Sequence, residues 1–229
     1  MTKTVKEAKQ IDWGQATVDA LKRHTAREGS MLSPRVRDAL RLALETHELN
    51  DKQKRKGKDV PYITHPLTVG LILARAGADE TMIIAGILHD VLEDSVAEHK
   101  VTYEMLRERF GPSAADIVKS VTEPNSKLPW PERKRAALKH LKKMVGAGLW
   151  VKAADTISNV SELLDDYARE PAGQGDQLFG RFNAPKADII ANYLAVMDVL
   201  IEKPLTPEGQ EHTLMLDLKT LRADLQGLA

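Results

Sequence analysis

The chain contains no cysteine, which excludes a disulfide framework, a thiolate zinc site and a cysteine nucleophile. Any metal chemistry must therefore draw on His, Asp and Glu. Net charge is also lacking: Lys+Arg and Asp+Glu each total 33, so bulk electrostatics give no reason to expect a nucleic-acid or membrane partner. No apolar run approaches the ~18 residues of a membrane span. The opening stretch MTKTVKEAKQIDWG has none of the apolar core of a signal peptide, so a cytoplasmic location is expected. What is present is a chain of 229 residues, 42% hydrophobic and 29% charged, the composition of one globular domain with a sizeable core.

The most informative stretch is 79–95, DETMIIAGILHDVLEDS. Asp79 suits a helix N-cap and Glu80 adds negative charge where the helix dipole favours it. The spacing predicts a helix buried through Met82, Ile83, Ile84, Ile87 and Leu88, with His89, Asp90, Glu93 and Asp94 gathered at its far end. Residues four apart share a helix face, which pairs His89 with Glu93 and Asp90 with Asp94. Three acids at a helix C-terminus repel one another and oppose the dipole. The bland reading is a solvated acidic helix end. The sharper one is a divalent metal, since imidazole nitrogen with carboxylate oxygen suits Mn, Fe or Zn.

Along the rest of the chain the periodicity predicts helices throughout and no convincing strand, hence an all-α fold. A first helix is expected over 12–27, and a second opened by Ser33-Pro34 with Val36, Leu40, Ala43, Leu44 and His47 on one face. His47 is expected at the edge of the core. The basic loop 50–60, NDKQKRKGKDV, leads into PYITHP, where Pro61 and Pro66 stiffen the backbone around His65 ahead of a helix over 67–76. A lone histidine before a helix is more often structural, but fixed backbone and neighbouring cations put His65 in reach of the same pocket as His89. Then come a short helix from Thr102 to the Gly111 stop, one opened by Ser113 with Asp116 as a capping box, and a cationic helix near Pro131. In GLWVKAADTISNVSELLDD the apolar set supplies burial while Asp155 and Asn159 share a face. That pair is either a hydrogen-bonded core pair or, if a metal is bound, the source of its remaining carboxylate. Lys186 and Tyr193 are weaker pocket candidates. The last helix, opened by Thr206-Pro207, carries Leu214, Leu218, Leu221, Leu225 and Leu228 as a stripe that docks on the body or on a second subunit.

Three segments in order, RKGKDVPYITHP, ILHDVLEDS and KAADTISN, resemble the hydrolase domain of the RelA/SpoT family within the HD superfamily. The likeness covers roughly residues 35–200 and is strongest to the small single-domain alarmone hydrolases, metazoan ones included, which the PERKR and FNAPK segments also resemble. It implies an all-helical HD bundle: a helical extension over 1–34, the hydrolase domain over 35–203 and a packing helix over 204–229. By resemblance His65, His89, Asp90 and Asp155 match four ligands of one manganese ion, and Glu93 and Asp94 match the acidic pair that handles the attacking water. Arg55 and Lys56 match a pair that contacts base and phosphates, and Asn159 matches a substrate-contacting asparagine; Lys152, Arg135 and Lys186 complete the candidate contacts. The chain departs from the family's long enzymes where KAADTISN stands for KLADRLHN, and in the length of the loop before His65.

The implied reaction is hydrolysis of the 3′-pyrophosphate of guanosine tetra- or pentaphosphate, or of the adenosine counterpart. The length leaves no room for the family's synthetase domain, so degradation alone is expected, with a homo-oligomer or a partner alarmone synthetase as candidate associations. One rival is another HD phosphohydrolase, for instance one acting on the 2′-phosphate of NADPH. A rival from a different class is a non-catalytic nucleotide-binding HD module.

Overall fold

The computed structural model describes residues 33–123, 128–205 and 212–229. The helix expected over 12–27 and the Thr206-Pro207 pair lie outside the described residues. The described elements are α1 (Pro34–Leu44), α2 (Thr64–Arg75), α3 (Glu80–Ile87), α4 (Val91–Asp94), α5 (Tyr103–Phe110), α6 (Pro112–Val121), α7 (Trp130–Lys143), α8 (Ala147–Arg169), α9 (Lys186–Glu202) and α10 (Thr213–Gln226). Among the described residues there is no strand, and one isolated bridge, Lys54 to Pro61, pins the basic loop.

The long helix α8 is the axis, packing against α2, α3, α6, α9 and α10. Leu149, Val151, Ala153, Ala154, Ile157, Val160 and Leu163 bury nearly its whole circumference, which suits a central helix rather than a surface one. The leucine stripe of α10 closes onto this axis: Leu214, Leu218 and Leu225 are buried and the helix lies on α8 and α9.

Local signals set most helix ends. Ser33 Oγ accepts the Val36 amide at 3.1 Å, Asp79 Oδ1 accepts Met82 at 2.8 Å, and Thr102 caps Met105 at 3.3 Å. Four expectations are corrected. The Ser113–Asp116 capping box does not form: α6 starts at Pro112 behind Gly111, and Asp116 accepts the Tyr103 hydroxyl at 2.6 Å. Helix α2 begins at Thr64 rather than 67, because the Thr64 and His65 amides already bond the Pro61 and Tyr62 carbonyls. His65 and Pro66 thus sit in the first turn, where a missing amide costs nothing. The helix expected to run through 79–95 breaks at Leu88, whose φ/ψ of −103/5 departs from helix, and resumes as the single turn α4. Finally, α1 ends in a π-helical turn, Glu45–Leu49, which rotates His47 into full burial instead of leaving it at the core edge.

Two glycines bring α2 and α3 together. A Cβ on Gly86 would lie 2.3 Å from Leu73 Cδ1, and one on Gly70 would lie 2.8 Å from Ile87 Cγ1. That close crossing places the His65 and His89 rings edge to face at 5.1 Å between centroids. Gly86→Ala should therefore lower the urea midpoint and weaken metal binding. The overpacking cost of about 1–3 kcal/mol exceeds the ~1 kcal/mol that alanine gains in helix propensity. Equilibrium unfolding checks this, and a variant as stable as the parent would refute the close-packing account.

Candidate metal centre and substrate cavity

His89 donates from Nδ1 to the Gly86 carbonyl at 2.8 Å, the carbonyl that a continuing helix would offer to the amide of residue 90. The side chain thereby helps end α3, and once deprotonated the ring carries its lone pair on Nε2. That atom is buried with no hydrogen-bond partner, although Asp90 Oδ2 is 3.0 Å away and Asp155 Oδ1 3.8 Å away. His65 repeats the arrangement: Nδ1 meets Ser158 Oγ at 2.9 Å, and Nε2 lies 3.3 Å from Asp155 Oδ1 and 3.8 Å from Asp90 Oδ2. Two imidazoles with one nitrogen tied outward and the other aimed at carboxylates form the donor set of a metal centre. The ligand atoms of His65, His89 and Asp155 all lie within 4.8 Å of one another, with Asp90 at the edge of this group.

Charge in this group is finely divided. Burial alone would drive His89 neutral, but the carboxylates of Asp90 and Asp155 outweigh it and lift its pKa to about 9. Burial likewise opposes ionisation of Asp90 and Asp155, yet His89 for the first and Lys152 for the second hold each carboxyl well below its usual range. Lys152 Nζ is 2.7 Å from Asp155 Oδ2, and Asn159 Nδ2 is 2.6 Å from Asp155 Oδ1. The Tyr62 hydroxyl donates to Asp90 Oδ2 at 2.6 Å.

Glu93 and Asp94 project from α4 at the margin of the group. Burial, then the charge of Asp90, raises both to about 7; for Glu93 the rise persists although its Oε1 accepts the Glu123 amide at 2.7 Å. Behind Asp94 stands His47, held neutral chiefly by burial, with Nδ1 donating to Gln53 Oε1 at 2.8 Å and lying 3.8 Å from Asp94 Oδ2. Gln53 in turn donates to the Asp94 carbonyl at 3.0 Å.

The metal-cluster residues and the acid pair line a cavity of about 310 Å³ that several cations line as well. Lys56, Arg133, Lys134 and Lys152 line it together with Trp130, Phe182 and Tyr193. Arg133 and Lys134 both pair with Glu123, at 2.8 and 2.5 Å. Arg55, outside this lining, lies over the Tyr62 ring and donates to Asn159 Oδ1 and Glu162 Oε2. Thus the structure gathers His65, His89, Asp90, Glu93, Asp94, Lys56, Lys152, Asp155 and Asn159 on one cavity. It leaves three candidates outside that lining: Arg55 stands behind Asn159, Arg135 is exposed on α7, and Lys186 pairs with Asp176 at 2.7 Å. Sequence reasoning missed Ser158, Gln53, Tyr62, Glu123 and Glu162. Ser158 and Glu162 were findable, since they fall three and seven residues after Asp155 on one helix. Gln53 and Glu123 carry no local pattern that marks them.

The sequence profile described as HD domain matches residues 39–190, well over half of the chain. The chain belongs to the HD domain family. Among curated relatives, the guanosine-3′,5′-bis(diphosphate) 3′-pyrophosphohydrolase MESH1 of Xenopus tropicalis is 35% identical over 129 residues, covering 55% of this chain and 68% of that protein. A 3′-pyrophosphohydrolase of the same name from Aquifex aeolicus is 49% identical over 76 residues, 33% of this chain and 10% of the relative. The bifunctional (p)ppGpp synthase/hydrolase SpoT of Escherichia coli is 33% identical over 135 residues, 56% of this chain and 18% of the relative. The HD chain thus spans only a small part of these two bacterial relatives. In fold it matches a solved metazoan SpoT ortholog that hydrolyses ppGpp, with TM-score 0.67 and 24% identity over 88% of this chain and 100% of that one. It also matches a Listeria monocytogenes protein, with TM-score 0.59 and 26% identity over 73% and 99% of the two chains. The expected all-α HD bundle is therefore the fold.

The paired nitrogens set a measurable linkage. In the metal-free protein His89 is protonated below about 9, so a divalent cation entering at neutral pH must displace that proton. Titration of the HD domain with Mn²⁺ as probe should release at least one proton per ion, one from His89 and a further fraction from the Glu93–Asp94 pair, with affinity rising as pH is raised from 6 to 8. Ser158→Ala, which frees His65 Nδ1, should weaken binding about 10- to 100-fold. Calorimetry in buffers of different ionisation enthalpy reads both, and pH-independent binding would refute the ligand assignment.

Proposed function

We propose that the chain hydrolyses the 3′-pyrophosphate of guanosine tetra- and pentaphosphate, or of the adenosine analogue, to pyrophosphate and the nucleoside di- or triphosphate. The observation that carries this reading is one cavity lined by a two-imidazole, two-carboxylate cluster, an acid pair and several cations. The names of the curated relatives support it. His65, His89, Asp90 and Asp155 hold one Mn²⁺ ion, whose hard-to-intermediate character matches their nitrogen and oxygen donors. When bound, such an ion supplies Lewis acidity toward a phosphoryl oxygen and lowers the pKa of water.

The chain's own side chains do the rest. Lys56, Arg133, Lys134 and Lys152 hold the phosphates, while Arg55 and Asn159 face the nucleoside. Water oxygen forms a bond to the phosphorus carried on O3′, and the O3′–P bond breaks. Glu93 and Asp94, acting as a unit, take one proton from the water and return one to the departing O3′. Carboxyls whose burial raises them to about 7 are suited to both transfers near neutrality.

In this reading residues 35–203 form the catalytic unit and 204–229 the C-terminal segment whose helix α10 packs on its side. The work is cytoplasmic, and among the described residues no helix is long and apolar enough to cross a membrane. An alarmone synthetase is the natural partner activity, since it makes what this chain removes; a homo-oligomer is the other association in view.

Product analysis with Mn²⁺ tests the reading against guanosine tetraphosphate, its adenosine counterpart and NADPH. Pyrophosphate should appear from an alarmone and fall by at least about a hundredfold in Asp90→Ala. Because the base must be ionised, kcat/KM should fall about tenfold per unit as pH drops below the pKa of the acid pair. Bound cation shifts that limb from about 7 toward lower pH. Orthophosphate from NADPH alone would refute the substrate, and no turnover in any lane would refute the enzyme.

A further inference from the structure

Along α8, Asp155, Asn159, Glu162 and Asp166 recur at intervals of four, three and four residues, one polar stripe along the central helix. The upper half reaches the metal cluster. The lower half holds the basic loop. Arg55 Nε and Nη2 both donate to Glu162 Oε2, at 2.8 and 2.6 Å, and Nη2 also donates to Asn159 Oδ1 at 2.8 Å. The second oxygen of Glu162 pairs with Lys58, Lys58 pairs with Asp166 at 2.6 Å, and Asp166 pairs with Arg181 at 2.8 Å. Arg181 then closes the circuit, because Gly57 packs so tightly on it that a Cβ there would lie 2.6 Å from Arg181 Cβ. Gly57 also has φ +70, a conformation that side-chain-bearing residues rarely adopt.

This network decides what Arg55 can recognise. Its side chain is only 12% exposed, its charge is matched by a carboxylate, and one face of the guanidinium lies over the Tyr62 ring. Three of its five N–H groups are spent on Glu162 and Asn159, which leaves Nη1 for a ligand. A neutralised, oriented guanidinium is a poor anion trap and a good planar partner for a purine. Lys56 contrasts with it: it lies over the Phe182 ring and burial lowers its pKa, with Arg133 and Lys134 adding to the effect.

We infer that Glu162 is a specificity-determining positioning residue: it withdraws Arg55 from phosphate binding and fixes it for the nucleobase, with Lys58 and Asp166 holding Glu162 in place. This rests on the nucleotide reading above, which gives the nucleoside to Arg55 and the phosphates to Lys56 and the α7 cations, and adds to it the carboxylate that holds Arg55 to its task.

The test is a double-mutant cycle on the Mn²⁺-loaded protein, read as guanosine diphosphate affinity by calorimetry and as KM and kcat with guanosine tetraphosphate. Glu162→Gln should weaken nucleotide binding and raise KM about tenfold, with kcat within about twofold and Mn²⁺ affinity unchanged. In an Arg55→Ala background the same substitution should have almost no further effect, which a merely structural role for Glu162 would not produce. Lys58→Met, which leaves the Arg55–Glu162 pair intact, should give a loss of about threefold that also disappears in Arg55→Ala; it carries the cycle if Glu162→Gln does not fold. Undiminished loss in the Arg55→Ala background, or wild-type binding by both single variants, overturns the inference. Failure of the wild-type protein to bind or cleave any guanosine nucleotide overturns this inference together with the reading beneath it.

Discussion

The structure depends on keeping four carboxylates and two imidazoles close together inside a protein without letting them ionise at random. Burying like charges is costly, and proximity raises the cost. The fold meets it with fixed partners: Lys152 beside Asp155, the Tyr62 hydroxyl on Asp90, the Glu123 amide on Glu93. What these partners leave is His89 Nε2, buried without a partner, and His65 Nε2 facing the same two carboxylates, where a divalent cation fits. The small residues Gly70 and Gly86 belong to the same design, because only a close crossing of α2 and α3 brings both rings to one point.

Much of this was legible in the sequence. Asp79, Ser33 and Thr102 announce their helices through capping chemistry, which is local and transferable. The all-α reading and the burial of α8 follow from periodicity, and α10 buries three leucines of its stripe on the body. The ligand residues were legible in a different way: by order and resemblance, since spacing alone left Asp155 open between a core pair and a metal ligand.

What escaped was set by tertiary competition. The helix through 79–95 scores well residue by residue, but the His89 side chain takes the Gly86 carbonyl and the chain turns, which spreads His89, Asp90 and the acid pair around a cavity instead of along one face. His47 reads as a core-edge residue on a regular helix; one π-helical turn buries it behind Asp94. Gln53 and Glu123 sit in segments with no period at all, and their roles arise from chain elements 41 and 30 residues away.

Glu123 also explains why the cationic wall need not be a wall of free charge. Arg133 and Lys134 already share its carboxylate, which offsets one of their two charges, so in the proposed reaction a phosphate arriving there exchanges one anion for another instead of stripping water from bare cations. Exchange costs less than desolvation, and it is selective: a ligand must bring an anion that competes with a carboxylate already bound to two cations. The same residue carries the amide that holds Glu93, so displacement of its side chain acts on the backbone that orients one of the two acids. Phosphate recognition and the acid pair are thereby joined through a single residue. Arg55, neutralised permanently by Glu162 rather than exchangeably, stays out of that competition.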